Sequence, residues 1–371
     1  MADQEGRGGL CTPTRWRLIA SGVLLAACPL LVLLFERFGE ALSGGYRPFS
    51  KGLLSLQATV ASVAPFALWD FLVVGFALAA LFTLVRRVVR RRPLLPWLSV
   101  VLLVSSATLF LFVSGWALNH YALSLANEIG LEVGAYTDDE LAAATRHYLE
   151  RAAALAPSVP RGEDGELLRQ DFYELARIAG GSYRELSESY GIFEGSQAPV
   201  KALLLLGEPL LLSGHVGIFF SPTGESSVPV NCAVADLPFT MCHEAAHRMA
   251  IAREQEANFA AFLACTTSDD VRFSYSGYYS AFSFCYGALR RSDPDRAARL
   301  LDEVRTSGLD AGVGLVLADL VATGRHYDAY EGWFGRVGSA VNDGYLRSFG
   351  EREGVKSYGL VVDYLIAWDR R

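Results

Sequence analysis

Residues 94–118 read LLPWLSVVLLVSSATLFLFVSGWAL, an apolar run without a charged side chain. A helix of this length crosses a bilayer core that is roughly 30 Å thick. Two similar runs precede it, at residues 18–35 and at residues 64–85, and only Asp70 interrupts the second. Because only helices and closed barrels satisfy their own backbone hydrogen bonds in lipid, the sequence predicts three membrane-spanning helices within residues 18–118.

These apolar runs have two other interpretations. The first run resembles a secretory signal peptide, and residues 41–44 (ALSG) are a weak match to a cleavage site. Each run could also be a buried core helix. Three such runs within 120 residues favour a retained membrane anchor over both alternatives.

The distribution of charge predicts an orientation and excludes one class of partner. The chain carries a net charge of −7, and residues 119–371 hold 22 Lys and Arg against 35 Asp and Glu. A domain this acidic, without a basic stripe, is not expected to bind nucleic acid. Arginines cluster in residues 1–17 and 86–92, which the positive-inside rule places in the cytoplasm. Residues 119–371 are then extracytoplasmic, at the cell membrane.

Residues 119–371 are predicted to form a mainly α-helical domain with a small β-hairpin or sheet. Thr137 and Glu140 form a capping box that opens a helix running to about Ala156. Residues 216–220 are β-prone and could pair with residues 228–230 across a turn. Further helices are predicted at about 239–250, 254–266 and 275–289, and after Pro294. The apolar run at residues 311–322 is too short and too polar to span a membrane.

Several polar residues and cysteines outside the main motif have both a structural and a functional interpretation. Asp70 is either an ion or proton site or, more in keeping with Trp69 beside it, an interfacial carboxylate. Asn119 and His120 follow the third run and are interpreted as an interfacial pair rather than as metal ligands. Four cysteines of the C-terminal domain could form up to two disulfides or fill the core as free thiols: Cys232, Cys242, Cys265 and Cys285.

One motif carries chemistry: His243-Glu244-Ala245-Ala246-His247, within a predicted helix. Residues four apart lie on one helical face, so both imidazoles can bind one zinc ion while Glu244 activates a water molecule on that ion. A catalytic zinc site needs a third protein ligand, and Glu254 and Glu256 are candidates on the next helix. A further group would stabilise the oxyanion, with four candidates: His215, Tyr275, Tyr278 and Tyr279.

The segment Glu254-x-x-Ala257-Asn258 resembles the third-ligand helix of gluzincin metallopeptidases. That group includes membrane-bound CAAX-prenyl and heat-shock-type proteases and ImmA-type repressor-cleaving proteins. The resemblance implies that Glu254 binds zinc and that Asn258 orients His243. In most such families more residues separate the second His from this Glu, and the shorter spacing here keeps Glu256 as an alternative.

A larger part of the chain resembles one bacterial membrane-protein family of unknown function that has a predicted metallopeptidase core. The resemblance supports the arrangement of three spans followed by an H-E-x-x-H domain. It rests on the motif, on Ala252–Phe259 and on five other segments: residues 116–121, 213–220, 238–240, 276–278 and 354–359.

These features predict a membrane-anchored zinc metallopeptidase, a hydrolase that cleaves a peptide or protein substrate outside the cytoplasm. Zn²⁺ would be bound by His243, His247 and Glu254, and Glu244 would act as the general base. Residues 216–220 could bind an extended peptide as an added strand or be a structural hairpin.

Two other functions remain open. The chain could be a catalytically silent, metal-stabilised sensor or binding protein. It could also be an intramembrane protease, for which residues 309–312 (LDAG) are a near match to a distant L-D-G motif. The charged residues around His243 favour a water-facing cleft over the intramembrane alternative.

Overall fold

The computed structural model describes residues 12–349 and 360–371. This part of the chain is mainly helical (73%) with one small sheet, as predicted. The helices are α1 (Thr12–Ala61), α2 (Leu68–Val89), α3 (Leu95–Gly115), α4 (Leu125–Ile129), α5 (Asp138–Leu155), α6 (Phe172–Gly181), α7 (Arg184–Ser189), α8 (Gly207–Leu212), α9 (Leu237–Arg248), α10 (Glu254–Thr266), α11 (Val271–Ser292), α12 (Pro294–Val304), α13 (Asp310–Asp328), α14 (Trp333–Ser348) and α15 (Val361–Asp369). The strands are β1 (Lys201–Leu203), β2 (Ile218–Phe220) and β3 (Glu225–Pro229).

Four helical segments of the described residues are long and apolar enough to cross a membrane. Three of them begin with α1, α2 and α3 and contain all or most of each predicted run. The fourth, Pro294–Asp328, combines α12 and α13. In α13, Gly312 packs so closely on α5 that an added Cβ would lie 2.8 Å from the carbonyl carbon of Ala153. The number of spans therefore stays a prediction.

Helix α1 bends sharply beyond the first apolar run. The rings of Phe35 and Tyr46 pack edge to face with centroids 4.8 Å apart. In a straight helix, eleven residues would separate them by about 16 Å along the axis. Gly44 and Gly45 lie between them and Pro48 follows, and such residues are recognised causes of kinks. We call residues 46–61, beyond the bend, the α1 arm.

The α1 arm is bonded to the C-terminal domain. Arg47 donates a hydrogen bond from Nη1 to Glu128 at 2.5 Å, and Lys51 Nζ donates to the carbonyl oxygen of Ile192 at 2.6 Å. Gln57 Nε2 donates to the carbonyl oxygen of Pro222 at 3.1 Å, in the turn between β2 and β3. The arm also covers the end of α3, where Ser50 Oγ donates to the carbonyl oxygen of Gly115 at 2.6 Å.

The three strands form one sheet in the order β1-β3-β2. Strands β2 and β3 pair antiparallel, with Phe219 opposite Ser226, which confirms the predicted hairpin. Strand β1 pairs parallel to β3 and was not predicted, because its partner lies more than twenty residues away along the chain. The turn between α1 and α2 extends this sheet, since Ala67 donates its N–H to the carbonyl oxygen of Ala202 at 3.0 Å.

Asp70 is an anchor between α2 and the C-terminal domain. It is fully buried, and its carboxylate accepts hydrogen bonds from three consecutive backbone N–H groups, those of Leu204, Leu205 and Leu206, at 2.7–3.0 Å. All three partners are backbone groups of the protein, which favours the structural over the functional interpretation of Asp70. Its place in the first turn of α2 agrees with the predicted position near the outer end of the span, and that this end lies at a membrane interface stays a prediction.

The core of the C-terminal domain is centred on α5, α9, α10 and α11. The capping box predicted at the start of α5 is present, with reciprocal hydrogen bonds between Thr137 and Glu140.

The four cysteines of this domain are buried and free, so the prediction that they fill the core as free thiols is confirmed. Cys11 and the segment 354–359 lie outside the described residues.

Candidate metal centre

Helix α9 carries the H-E-x-x-H motif and is buried along its whole length. Two hydrogen bonds fix its backbone carbonyl groups. Ser226 Oγ on β3 donates to the carbonyl oxygen of Glu244 at 2.7 Å, and the Tyr183 hydroxyl donates to that of Cys242 at 2.9 Å. A helix held on two sides in this way presents its side chains at fixed positions.

The two motif histidines face each other, with their Nε2 atoms 3.1 Å apart. Nδ1 of His247 lies 2.8 Å from the carbonyl oxygen of Ile251, and Nδ1 of His243 lies 2.9 Å from Oδ1 of Asn258. Both partners are acceptors, so in the neutral rings the protons are on Nδ1. Each Nε2 atom then presents a lone pair to the other.

Glu254 completes the group because the chain turns back at once after α9. The turn contains Ala250 in the left-handed region, with φ 63°, and α10 begins at Glu254. Its two carboxylate oxygens lie 3.2 Å from Nε2 of His243 and 3.8 Å from Nε2 of His247. The ligand atoms of these three residues all lie within 4.8 Å of one another.

Glu256, the alternative third ligand, has other partners. Its carboxylate forms an ion pair with Arg253 at 2.9 Å and accepts a hydrogen bond from the Tyr364 hydroxyl at 3.2 Å. It is not a member of the three-residue group around His243. The structure thus brings Glu254, and not Glu256, to the two histidines.

The donor chemistry of this group fits a divalent cation. Two imidazole lone pairs and a carboxylate converge in a buried space, and like partial charges at this distance repel one another unless a proton or cation lies between them. Two nitrogen donors and one oxygen donor are a common protein ligand set for a cation that keeps one open coordination position. His243, His247 and Glu254 therefore form a possible metal-binding triad.

Burial and the short contacts shift the pKa values of the triad residues and of Glu244. Burial alone would raise the pKa of Glu254, but His243 and His247 lower it to about 2. Burial lowers the pKa of His247 to about 4. The pKa of His243 is raised, because contact with Glu254 and the charge of Glu244 outweigh the opposite effect of burial. Burial raises the pKa of Glu244 to about 8.

A cavity of about 400 Å³ opens beside the triad. Glu244 projects into it and packs against Gly217, where an added Cβ would lie 2.7 Å from Cγ of Glu244. One carboxylate oxygen of Glu244 is buried without a hydrogen-bond partner. The other lining residues of polar character include His215, Asp236, Thr240, Ser280, Ser283, Ser339 and Asn342.

Only one of the four oxyanion candidates lies at this cavity. His215 lines it, with its Nδ1 atom 2.9 Å from Ser213 Oγ, and burial lowers its pKa. The three tyrosines bind elsewhere: Tyr275 donates to Asp319, Tyr278 accepts from Arg151 and Tyr279 donates to Thr323. These three candidates therefore do not lie at the cavity, and their hydroxyl groups serve the packing of α11 on α5, α13 and nearby segments.

Residues that the sequence analysis did not single out also shape the site. Gly217 gives Glu244 its space, and Ser339 and Asn342 reach the cavity from α14, nearly one hundred residues after the motif. Gly217 lies in the segment 213–220, which carries part of the family resemblance, so the resemblance gave a reason to examine it. No feature of the sequence of α14 indicates that this helix reaches the site, because the contact joins segments far apart in the chain.

Asn119 and His120 are not part of the triad. Asn119 Nδ2 donates to Ser50 Oγ at 3.0 Å, and Nε2 of His120 lies 3.2 Å from the Tyr345 hydroxyl. Both are buried. Asn119 thus joins the α1 arm to the end of α3, and His120 joins this region to α14.

Comparison with known families gives one match, to the family described as "Protein of unknown function (DUF3810)", over residues 46–366. The chain belongs to this family. The DUF3810 match begins at the α1 arm and includes α2, α3 and the triad, so the family unit contains both the apolar helices and the site. No curated protein and no solved structure matches the chain.

Proposed function

We propose that this DUF3810 protein is a membrane-anchored, zinc-dependent metallopeptidase. The observation that carries the proposal is the convergence of His243, His247 and Glu254 beside a cavity that holds a further buried carboxylate. The similarity of Glu254-x-x-Ala257-Asn258 to the gluzincin third-ligand helix supports it. Zinc held by this triad would supply Lewis acidity toward a water molecule and toward the scissile carbonyl group.

Glu244 is the proposed general base. It is next to His243 in sequence, but its carboxylate projects into the cavity, and one of its oxygens has no protein partner. A carboxylate with a raised pKa accepts a proton readily and can return it to a leaving amine. His215, on the opposite segment of the cavity wall, is the proposed donor to the oxyanion.

Strand β2 is the proposed substrate-binding edge. It is the last strand in the order β1-β3-β2, and the segment that leads into it, residues 214–217, lines the cavity. An extended peptide could add to this edge through main-chain hydrogen bonds. Gly217 lies at the end of the edge nearest to Glu244.

We further propose three spans, with the N-terminus in the cytoplasm and the C-terminal domain outside. Arginines of residues 86–92 support this orientation. The segment α12–α13 is left out of the spans because Asp319 of α13 forms a buried ion pair with Arg161 at 2.7 Å. An ion pair of this kind belongs to the interior of a water-soluble domain rather than to a lipid-facing helix.

The decisive experiment compares the wild-type protein with Glu244→Gln and His247→Ala in detergent or nanodiscs. We expect zinc in the wild-type and Glu244→Gln proteins, its loss in His247→Ala, and hydrolysis of a peptide library by the wild type alone. Zinc binding without cleavage by any of the three would instead indicate the metal-stabilised binding protein. Absence of zinc and other divalent metals from the wild type would reject the proposal.

A further inference from the structure

Helix α14 has a face that covers the cavity of the candidate metal centre. Gly338 approaches the loop before β2 so closely that an added Cβ would lie 2.9 Å from Cβ of Ser213. Ser339 and Asn342 line the cavity together with His243 and Glu244. This helix therefore forms part of the wall of the site.

A second face of α14 is apolar and exposed. Trp333, Phe334, Val337 and Val341 have exposed fractions of 59%, 55%, 49% and 68%. Positions 334, 337 and 341 are three and four apart, so these side chains lie along one side of the helix. Arg336 and the ion pair between Arg347 and Asp343 occupy a different side, which gives the helix an amphipathic surface beyond its contact with the domain.

Helix α14 lies at the ends of the apolar helices that face the C-terminal domain. The ring centroids of Tyr345 and Phe349 are each 6.0 Å from that of Phe112, about one turn before the end of α3. At its other end, α14 packs at Gly335 near Leu212 of α8. Leu210 of the same short helix belongs to the apolar cluster around Trp69, at the start of α2.

The segment that Asp70 holds also exposes apolar side chains. Leu204, Leu205 and Leu212 are exposed by 48%, 44% and 41%. Asp70 lies in the first turn of α2 and bonds directly to the backbone of Leu204 and Leu205. The exposed leucines are therefore fixed at the level where this membrane span ends.

We propose that the apolar face of α14, with Leu204, Leu205 and Leu212, lies in the interfacial layer of the lipid leaflet next to the C-terminal domain. The position of α14 beside the end of α3 and near the start of α2 selects lipid rather than a protein partner as the occupant. Tryptophan and phenylalanine beside leucine and valine are typical of a face buried at the lipid boundary, while arginines on another face remain with the headgroups.

A consequence concerns the substrate, and this step rests on the proposed function. Because another face of the same helix lines the cavity, the mouth of the cavity is held at the lipid surface. Polypeptide segments that lie close to the membrane, such as the flanks of membrane spans or lipid-anchored chains, can then reach Glu244 most readily.

The test uses the full chain in nanodiscs and does not depend on catalysis. Cys11 is replaced by serine, and a fluorescent NBD label is placed at Val337→Cys or, in a second variant, at Val341→Cys. The matched control is Arg336→Cys, one residue away on the other side of the helix. The five described cysteines are buried and free, so labelling is directed to the new thiol.

We expect lipids with a spin label near the headgroup to quench the probes at positions 337 and 341 severalfold more strongly than the probe at 336. Equal quenching at all three positions would overturn the proposal. Weak quenching at 337 and 341 combined with thiol cross-linking between copies would overturn it in favour of a dimer interface. Either result would leave the metal and hydrolysis experiments on Glu244 unaffected.

Discussion

The indole Nε1 of Trp116 donates a hydrogen bond to the carbonyl oxygen of His247 at 2.9 Å. Trp116 is the first residue after α3, and its ring also packs edge to face on the His247 imidazole, with centroids 5.7 Å apart. The end of an apolar helix is thus bonded directly to the last turn of α9, the helix that carries the H-E-x-x-H motif.

Trp116→Phe keeps most of the ring packing and removes this hydrogen bond. We expect the free energy of unfolding to fall by about 0.5–1.5 kcal/mol, together with weaker zinc binding, since the carbonyl group would keep only the backbone N–H of Ala250 as its donor. Thermal unfolding and zinc titration measure both effects. Trp16→Phe, at an exposed position, is the control, and equal behaviour of the two variants would contradict the expectation.

Asn258 fixes the ring of His243 through its contact with Nδ1. Asn258→Ala should raise the zinc dissociation constant by about 10–100-fold, because the imidazole loses the partner that sets its orientation and proton position. Asn258→Asp keeps an acceptor oxygen and should bind zinc more tightly than Asn258→Ala. Identical affinities for wild type and both variants would show that Asn258 does not orient His243.

Gly217→Ala should abolish hydrolysis while leaving the zinc content unchanged. The added methyl group would occupy the space of the Glu244 carboxylate, which is not part of the possible metal-binding triad. Gly134→Ala is the control, since an added Cβ there meets no atom within 4 Å. Full activity of Gly217→Ala would argue against Glu244 as the general base.

Zinc affinity should fall as the pH is lowered from about 8 to about 6. Contact with Glu254 raises the pKa of His243 in the metal-free protein, so a growing fraction of this imidazole carries a second proton at lower pH. Zinc binding must displace that proton, which costs free energy. Competition with a chelator across this range measures the slope, and an affinity that rises on acidification would refute the assignment.

Asp70→Ala leaves the three backbone N–H groups of Leu204–Leu206 without their acceptor. Hydrogen bonds to a charged group contribute about 1.5–3 kcal/mol each, so we expect a marked drop in the melting temperature. Asp70→Asn keeps one acceptor oxygen and should lie between wild type and Asp70→Ala. A melting temperature that is the same for all three would contradict the anchoring role.

Local signals in the sequence predicted much of the fold and of the triad. The capping box at Thr137 and the helix that begins at Glu254 depend on residues within one or two turns, and both are where they were expected. The proximity of His243 to His247 follows from helical spacing alone. The resemblance to the gluzincin third-ligand helix favoured Glu254, but the short spacing after His247 left Glu256 open until the path of the turn at Ala250 was known.

Contacts between segments far apart in the chain could not be predicted from such local signals. Strand β1 is three residues long and is stabilised by β3 and by the turn between α1 and α2, so its own composition carries little information. Asp70 accepts hydrogen bonds from a loop more than 130 residues later, and Asn342 reaches the cavity from a helix nearly one hundred residues after the motif. Contacts over such separations leave no periodic pattern in the sequence from which they could be predicted.

The α1 arm makes it difficult to separate the candidate enzyme from its anchor. A water-soluble version starting at residue 119 would lack the arginine that pairs with Glu128. It would also lack the backbone at residues 65–67 that covers the open side of β1. An uncovered strand edge invites pairing between copies. Truncation would therefore be expected to give an aggregating polypeptide, and biochemical work on this protein calls for purification with its hydrophobic helices in place.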